Sequence, residues 1–234
     1  MQVAASALKI GGFARFSTCD WPGKLAATVF CQGCVWNCPY CHNPHLRVLR
    51  PQSPQPSSVE WAEVLAHLRR RLGMLDAVVF SGGEPLLQSA LLEAILAVKA
   101  LGFEVGMHTT GMLPERFASV LPHLDWVGFD VKAPIGKYAS LTGIEQSGQK
   151  AMQSLALLLS SGVRYEVRTT FHVAWLSQQD LLEIRSHLQS LGVTNFALQR
   201  FRPQGVRAEY LPHDSVTSPQ SEGFAQGFLH FEQR

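Results

Sequence analysis

Charge is scarce in this chain of 234 residues: 16% are Asp, Glu, Lys or Arg, and Lys plus Arg outnumber Asp plus Glu by only 20 to 18. So even a balance argues against nucleic acid or a membrane surface as a partner recognised by bulk charge. The one basic run, Arg69-Arg70-Arg71, reads as the solvated end of a helix. No segment reaches the roughly 18 uninterrupted apolar residues of a membrane span, and residues 1–10 lack the basic flank and apolar core of a secretory leader. The expected location is the cytoplasm. Cysteine is sparse as well, at 5 residues, and a reducing compartment makes a disulfide set unexpected. The 46% of hydrophobic residues are enough for one α/β domain over 1–234 to bury its core without a staple.

From residue 27 onward, short apolar runs alternate with helical patterns. The runs at 27–31, 77–81, 103–108, 126–131, 165–170 and 195–199 predict strands. Between them, Ser57 and Glu60 form a capping box ahead of Trp61, Val64, Leu65, Leu68 and Leu72, which share a helical face stopped by Gly73. Residues 86–101 form a second predicted helix ended by Gly102. Met152, Leu155 and Leu159 line a third before Gly162. Ser177 and Asp180 open the last, in which Leu181, Ile184, Leu188 and Leu191 precede Gly192.

Such alternation specifies a parallel sheet covered by helices, with a core over about 25–202. Periodicity alone leaves open whether the sheet is doubly wound or a partial barrel. In either case chemistry collects at the carboxyl ends of the strands. Residues 1–24 read as an extension before the first strand. Residues 203–234, with Pro203, Pro212 and Pro219, read as a wrapping or mobile tail, and 51–57 as a Pro/Ser/Gln loop.

Four of the five cysteines lie between Cys31 and Cys41. Thiolates are soft ligands that select zinc or iron-sulfur centres. If all four bind, the site is a closed zinc or a fully ligated cluster. If only Cys34, Cys38 and Cys41 bind, a [4Fe-4S] cluster keeps one iron open. The spacing favours three ligands, because zinc ribbons hold their two knuckles far apart, whereas here only Val35, Trp36 and Asn37 would separate them. Cys31 ends an apolar strand and reads as a small core residue, and Cys19 is read the same way.

The spacing Cys34-x3-Cys38-x2-Cys41, with Tyr40 before the third cysteine, resembles the signature of the radical SAM superfamily. The stretch from Gly12 to Pro44, including Asp20-Trp21-Pro22-Gly23-Lys24 and Cys38-Pro39-Tyr40-Cys41-His42-Asn43-Pro44, resembles the activating enzymes of glycyl radical enzymes. Among these it is most similar to the anaerobic ribonucleoside-triphosphate reductase activating proteins. The resemblance implies a partial (β/α)6 barrel, a [4Fe-4S] cluster on the three cysteines and S-adenosylmethionine on the open iron. It further implies an electron from flavodoxin or ferredoxin, and a glycyl radical made on the reductase. Residues 42–80 contain no cysteine, so a second cluster is not expected.

The remaining strand ends supply further candidates. In Ser81-Gly82-Gly83-Glu84-Pro85, the glycines permit close backbone approach and Glu84 offers an acceptor. By resemblance this motif holds the amino group of the methionine part of S-adenosylmethionine. Asp130 and Lys132 are carried over as residues beside the cofactor, Lys132 near its carboxylate. Arg168 suits a carboxylate or ribose contact. Thr109, Thr110 and Gly111 match in part, and His108 stands where related enzymes carry an acid. His108 and His172 read as hydrogen-bonded structural residues, and His42 and Asn43 as shaping the cysteine loop. The competing functions are activation of pyruvate formate-lyase, a small-molecule reaction such as 7-carboxy-7-deazaguanine synthesis, and a structural zinc or electron-transfer module. The last leaves residues 82–85 unexplained.

Overall fold

A computed structural model describes residues 3–49, 59–211 and 223–234. Its chain adds strands to one sheet in strict sequence order: β1 (Ile10–Ser17), β2 (Ala26–Cys31), β3 (Ala77–Gly82), β4 (Glu104–Thr109), β5 (Trp126–Asp130), β6 (Arg164–Phe171), β7 (Asn195–Arg200) and β8 (His230–Gln233). Pairing is antiparallel between β1 and β2 and parallel from β2 to β8. A doubly wound sheet needs a reversal of strand order, and here there is none. Right-handed crossovers that always advance in one direction put every helix on one face and curl the sheet around the other. The result is an α/β partial barrel, left open because β1 and β8 do not pair with each other.

The helices are α1 (Trp61–Arg69), α2 (Leu91–Ala100), α3 (Pro114–Val120), α4 (Tyr138–Thr142), α5 (Ser147–Ser160) and α6 (Gln178–Ser190). Strand residues of one parity, among them Val29, Phe80, Met107, Phe129 and Val167, join the buried core under these helices. Trp61 of α1 stacks near Phe80 at 6.4 Å, and Phe117 of α3 meets Phe129 at 6.2 Å. The opposite parity faces the interior and is mostly small or polar, with Phe30, Val79 and Trp126 the larger apolar members. At its amino-terminal end that interior is closed by Trp21 stacked on Trp126, with ring centroids 5.3 Å apart, over Ala26, Ala77 and Val79. Gly106 lies beneath them, where a Cβ would come within 2.8 Å of the Trp21 ring.

The six predicted strands fall within one or two residues of β2 to β7. Four expectations are refined by the structure. Residues 1–24 are not merely an extension: β1 lies there, hidden from pattern reading by register shifts at Ile10/Gly12 and Ala14/Ser17. The described part of the tail is docked, through Phe224, Phe228 and Phe231 packed around Phe196 and through β8. The helix at 86–101 is two pieces, a 3-10 turn (Pro85–Leu87) and α2, because Gln88 is extended. Its side chain there accepts from the Lys9 amide and donates to the Gln32 carbonyl. Leu72 and Leu191 lie past the ends of α1 and α6 and are exposed. Ser57 of the proposed capping box, Pro212, Pro219 and the loop at 51–57 lie outside the described residues. No helix among the described residues is long and apolar enough to cross a membrane.

The second capping box is present. The Ser177 hydroxyl accepts from the Asp180 amide at 3.2 Å, and the Ser177 amide donates to the Asp180 carboxylate at 2.7 Å. Ser177→Ala should cost about 1 kcal/mol, lowering Tm by roughly 2–4 °C in a domain of this size. Calorimetry checks it; an unchanged Tm would show that α6 is held by packing alone.

Candidate functional site

At the carboxyl ends of the strands the interior opens into a cavity of about 640 Å³, within the usual range for small-molecule sites. Cys34, Cys38 and Cys41 line one wall with Tyr40. The facing walls carry Gly82 and Gly83, then Thr109, then Asp130 and Lys132, then Arg168. Ten of the sequence-predicted residues thus converge on one space. Glu84 and Pro85 are buried and do not line it.

The cysteine loop leaves β2 and is pinned by its backbone. Gly33 donates to the Leu46 carbonyl, Cys34 to Arg47 at 3.2 Å and Asn37 to Thr142 at 2.7 Å. Arg47 Nε donates to the Trp36 carbonyl at 2.7 Å. The segment after β7 lies across the loop, where His42 Nε2 bonds the Arg202 carbonyl at 2.8 Å and Arg207 donates to Asn37 at 2.9 Å. Cys34, Cys38 and Cys41 are half-buried. Burial, and next Glu84, push the Cys34 thiol up to about 12. Burial pushes Cys38 up to about 11 against the opposing charge of Lys132. Such thiols keep their protons until a metal displaces them. Cys31 lies fully buried under the helices, away from the cavity, and its thiol is raised by burial. Cys19 departs from its expected core placement: it is exposed and lines the cavity, within 3.5 Å of the Ser17 hydroxyl. Thr18 beside it is exposed as well, so the turn after β1 lies at the surface.

Besides lining the cavity, the glycine pair seats the cysteine loop. Gly82 has φ +110°, and a Cβ on it would meet the Cys31 amide nitrogen at 2.5 Å. A Cβ on Gly83 would meet the Gly33 carbonyl oxygen and the Leu46 carbonyl at contact or closer. The end of β3 therefore packs backbone to backbone on the root of the cysteine loop, with Gly83 donating to Cys31 at 2.9 Å and Glu84 to Gly33 at 2.8 Å. The Glu84 carboxylate turns inward, correcting its expected role as an open acceptor. It accepts from Thr109 Oγ1 and Thr110 Oγ1 at 2.7 Å each, from the Thr110 amide at 2.9 Å and from the Leu86 amide at 3.1 Å. Burial raises its pKa, while the Thr109, Thr110 and Leu86 donors oppose the shift. Glu84 thus ties β4 to the glycine turn.

Asp130 sits between two cations. Arg168 Nε reaches it at 3.0 Å and Lys132 Nζ at 3.0 Å. Burial works to raise the carboxyl, but Arg168 and Lys132 overcome it and hold the group well below the carboxylate range. The carboxylate contact expected of Arg168 is therefore internal. Lys132 Nζ also lies 5.6 Å from the Tyr40 ring centre. His108 is a structural residue, as its surroundings require: Ser81 Oγ lies 3.1 Å from Nδ1, and Nε2 meets the Asp20 carbonyl at 2.6 Å. Burial, then the charge of Arg168, lower it to about 4, so the ring is neutral.

Arg234 and Glu232 also line the cavity, and the sequence reading passed over both. Arg234 pairs with Glu166 at 2.6 Å. The available signal was Glu166, a carboxylate in the middle of a strand, which demands a cation once the strand is internal. Gln199, Arg200 and Arg202 complete the wall at the end of β7.

The donor set fits an iron-sulfur centre with a bound organic ligand. Among the described residues no three His, Cys, Asp or Glu side chains gather as tightly as a single metal ion needs. Cys34, Cys38 and Cys41 nevertheless line one cavity together, where three thiolates could hold a single iron-sulfur cluster. The Tyr40 hydroxyl, buried beside the cysteines, has no hydrogen-bond partner among the described residues, leaving a polar atom for an occupant.

A family model for the Radical SAM superfamily matches residues 28–187. A Methanocaldococcus jannaschii protein, provisionally named a glycyl-radical enzyme activating enzyme, is 30% identical over 207 residues, covering 86% of this chain and 82% of its own. The pyruvate formate-lyase-activating enzyme of Clostridium pasteurianum is 35% identical over 118 residues, 48% of each chain; the match thus spans about half the length of that relative. Among solved structures, Streptococcus suis SuiB bound to S-adenosylmethionine aligns with TM-score 0.56 at 13% identity, over 73% of this chain and 39% of that one. TYW1 with a lysine-pyruvate adduct bound aligns with TM-score 0.57 at 18% identity, over 80% and 68%. Such low identities show the fold alone. The superfamily match and the relative that spans most of both chains show that this protein belongs to the radical SAM superfamily and, within it, to the glycyl-radical enzyme activating enzymes.

Proposed function

We propose that the protein generates a glycyl radical on anaerobic ribonucleoside-triphosphate reductase. The observation that carries the reading is the convergence of three loop thiols, the glycine turn and the Asp130–Lys132–Arg168 group on one cavity. The family's cofactors are a [4Fe-4S] cluster and S-adenosylmethionine. Cys34, Cys38 and Cys41 would hold the cluster. Gly82, Gly83, Thr109 and Tyr40 would meet S-adenosylmethionine, with Lys132, Asp130 and Arg168 around its charged end. Bound there, the pair would supply one-electron reductive cleavage of the sulfonium and hydrogen-atom abstraction from the partner's glycine, with reduced flavodoxin or ferredoxin as the electron source.

The chain's own residues place and shield that chemistry. The Trp21–Trp126 stack closes the inner end of the barrel against water. Asp130 keeps Lys132 and Arg168 at fixed positions, so that neither has to reorganise when a ligand arrives. Glu84 acts through Thr109 and Thr110, holding the glycine turn in register, and is a positioning residue. The mouth is open, which suits a polypeptide loop bearing the target glycine. Activation of pyruvate formate-lyase is the second reading, favoured by the Clostridium pasteurianum relative.

Mixing the protein anaerobically with the reductase, S-adenosylmethionine and reductant should give a glycyl radical doublet by electron paramagnetic resonance, lost when the reductase's radical glycine becomes alanine. A doublet from pyruvate formate-lyase alone would move the protein to the second reading. Cys34→Ala, Cys38→Ala and Cys41→Ala should each abolish a stable cluster by iron and sulfide assay, whereas Cys31→Ala and Cys19→Ala should keep it. Loss in Cys31→Ala alone would argue for four ligands. Glu84→Ala strands the buried Thr109 and Thr110 donors at about 1–3 kcal/mol, a Tm fall of roughly 2–12 °C. It should weaken S-adenosylmethionine binding without loss of iron. Thr110→Val should shift both in the same direction; a Thr110→Val protein with unaltered affinity would instead argue for direct contact by Glu84.

A further inference from the structure

The cavity wall carries an excess of positive charge. Five cations, Lys132, Arg168, Arg200, Arg202 and Arg234, line it against three carboxylates, Asp20, Asp130 and Glu232. That excess of two equals the formal net charge of the whole protein, +2. Each carboxylate is already engaged. Asp20 accepts from Thr28 at 2.7 Å, Asp130 binds Arg168 and Lys132, and Glu232 binds Arg234. Each inner cation therefore has an ion-pair partner where it stands, Lys132 and Arg168 sharing Asp130. Arg200 and Arg202 are different: both are exposed, both line the cavity at the end of β7, and among the described residues neither side chain has an ion pair or hydrogen bond. The neighbouring backbone is nevertheless held. The Arg200 amide donates to the Arg234 main-chain oxygen at 2.6 Å, and the Arg202 carbonyl meets His42 at 2.8 Å. Phe201 between them is buried against His172 and Trp175, at 5.2 and 5.0 Å. Two guanidiniums are thus presented from a fixed backbone at the outer rim of a cleft, where low-dielectric walls focus their field.

We infer that Arg200 and Arg202 form a recognition rim for an acidic side chain on the polypeptide loop that brings glycine into the cavity. The inference rests on the proposed function, and names the chemistry of the partner at that site. A guanidinium reads a carboxylate by paired N–H donors. The cations deep in the cavity are already paired, Lys132 and Arg168 with the one Asp130 carboxylate, whereas the unpaired Arg200 and Arg202 meet whatever enters from outside.

The test uses the intact, cluster-loaded protein and two probes: the whole reductase, and a synthetic peptide spanning its radical glycine with every acidic side chain either native or replaced by its amide. Arg200→Gln and Arg202→Gln should each raise KM for the reductase about threefold to tenfold, Arg202→Glu more. Iron per chain, S-adenosylmethionine affinity and partner-free cleavage should stay unchanged. The wild-type protein should bind the native peptide more tightly than the amide version, with a salt dependence that the double variant loses. Equal binding of both peptides, an unchanged KM, or a glycine loop without an acidic side chain would overturn the inference. A parallel loss of S-adenosylmethionine affinity or of iron would also overturn it, by assigning the two arginines to the cofactors. The doublet of the wild-type protein is scored separately. Its absence counts against the proposed function, while peptide binding still decides the rim.

Discussion

The site depends on a contact between backbones. Gly82 and Gly83 lie so close to Cys31, Gly33 and Leu46 that no side chain fits between them, and this approach seats the cysteine loop on the end of β3. The loop's cysteines, the glycine turn and the strand end then share one frame. Glu84 extends the frame to β4, since its four donors come from the turn and from Thr109 and Thr110. A carboxylate so buried is costly unless every lone pair is used, and here the hydrogen bonds that offset its burial also hold two strand ends in register.

The strand parity divides the work between stability and chemistry. One parity carries Val, Phe and Met under the helices, where burial contributes about 1.5–3 kcal/mol per large side chain. The other carries Ser81, His108, Asp130, Arg168 and Gln199 into the cavity. Polar groups on the inside of a barrel must satisfy one another, and they do so in a chain: Asp20 with Thr28 and His108, and Asp130 with Lys132 and Arg168. His108, which stands where related enzymes carry an acid, is accommodated as a neutral hydrogen-bonding link between Ser81 and the Asp20 backbone.

Much of this was legible in the sequence, for reasons that differ by residue. The cysteine spacing is local, so one loop can be read without knowing the fold. β2 to β7 are apolar runs because both of their faces are covered, and their ends point to the cavity by the geometry of parallel sheets. β1 and β8 were not legible: register shifts break the alternation in one, and the other is four residues long with a single packed side chain, Phe231. Leu72 shows the limit of periodicity, since it has the spacing of α1 but lies beyond the turn that ends it.

The sequence by itself determined which residues carry chemistry, because thiols at fixed spacing and charged residues after apolar runs have few other uses. Only the tertiary structure decided what each one faces. Glu84 could have pointed into the cavity or away from it, and the Thr109 and Thr110 donors 25 residues on turned it away. Cys19 and Cys31 read alike in sequence, yet a surface turn exposes one while strand parity buries the other. Arg234 reaches Glu166 across 68 residues of chain. Such pairings follow from strands being laid side by side, which local pattern does not encode.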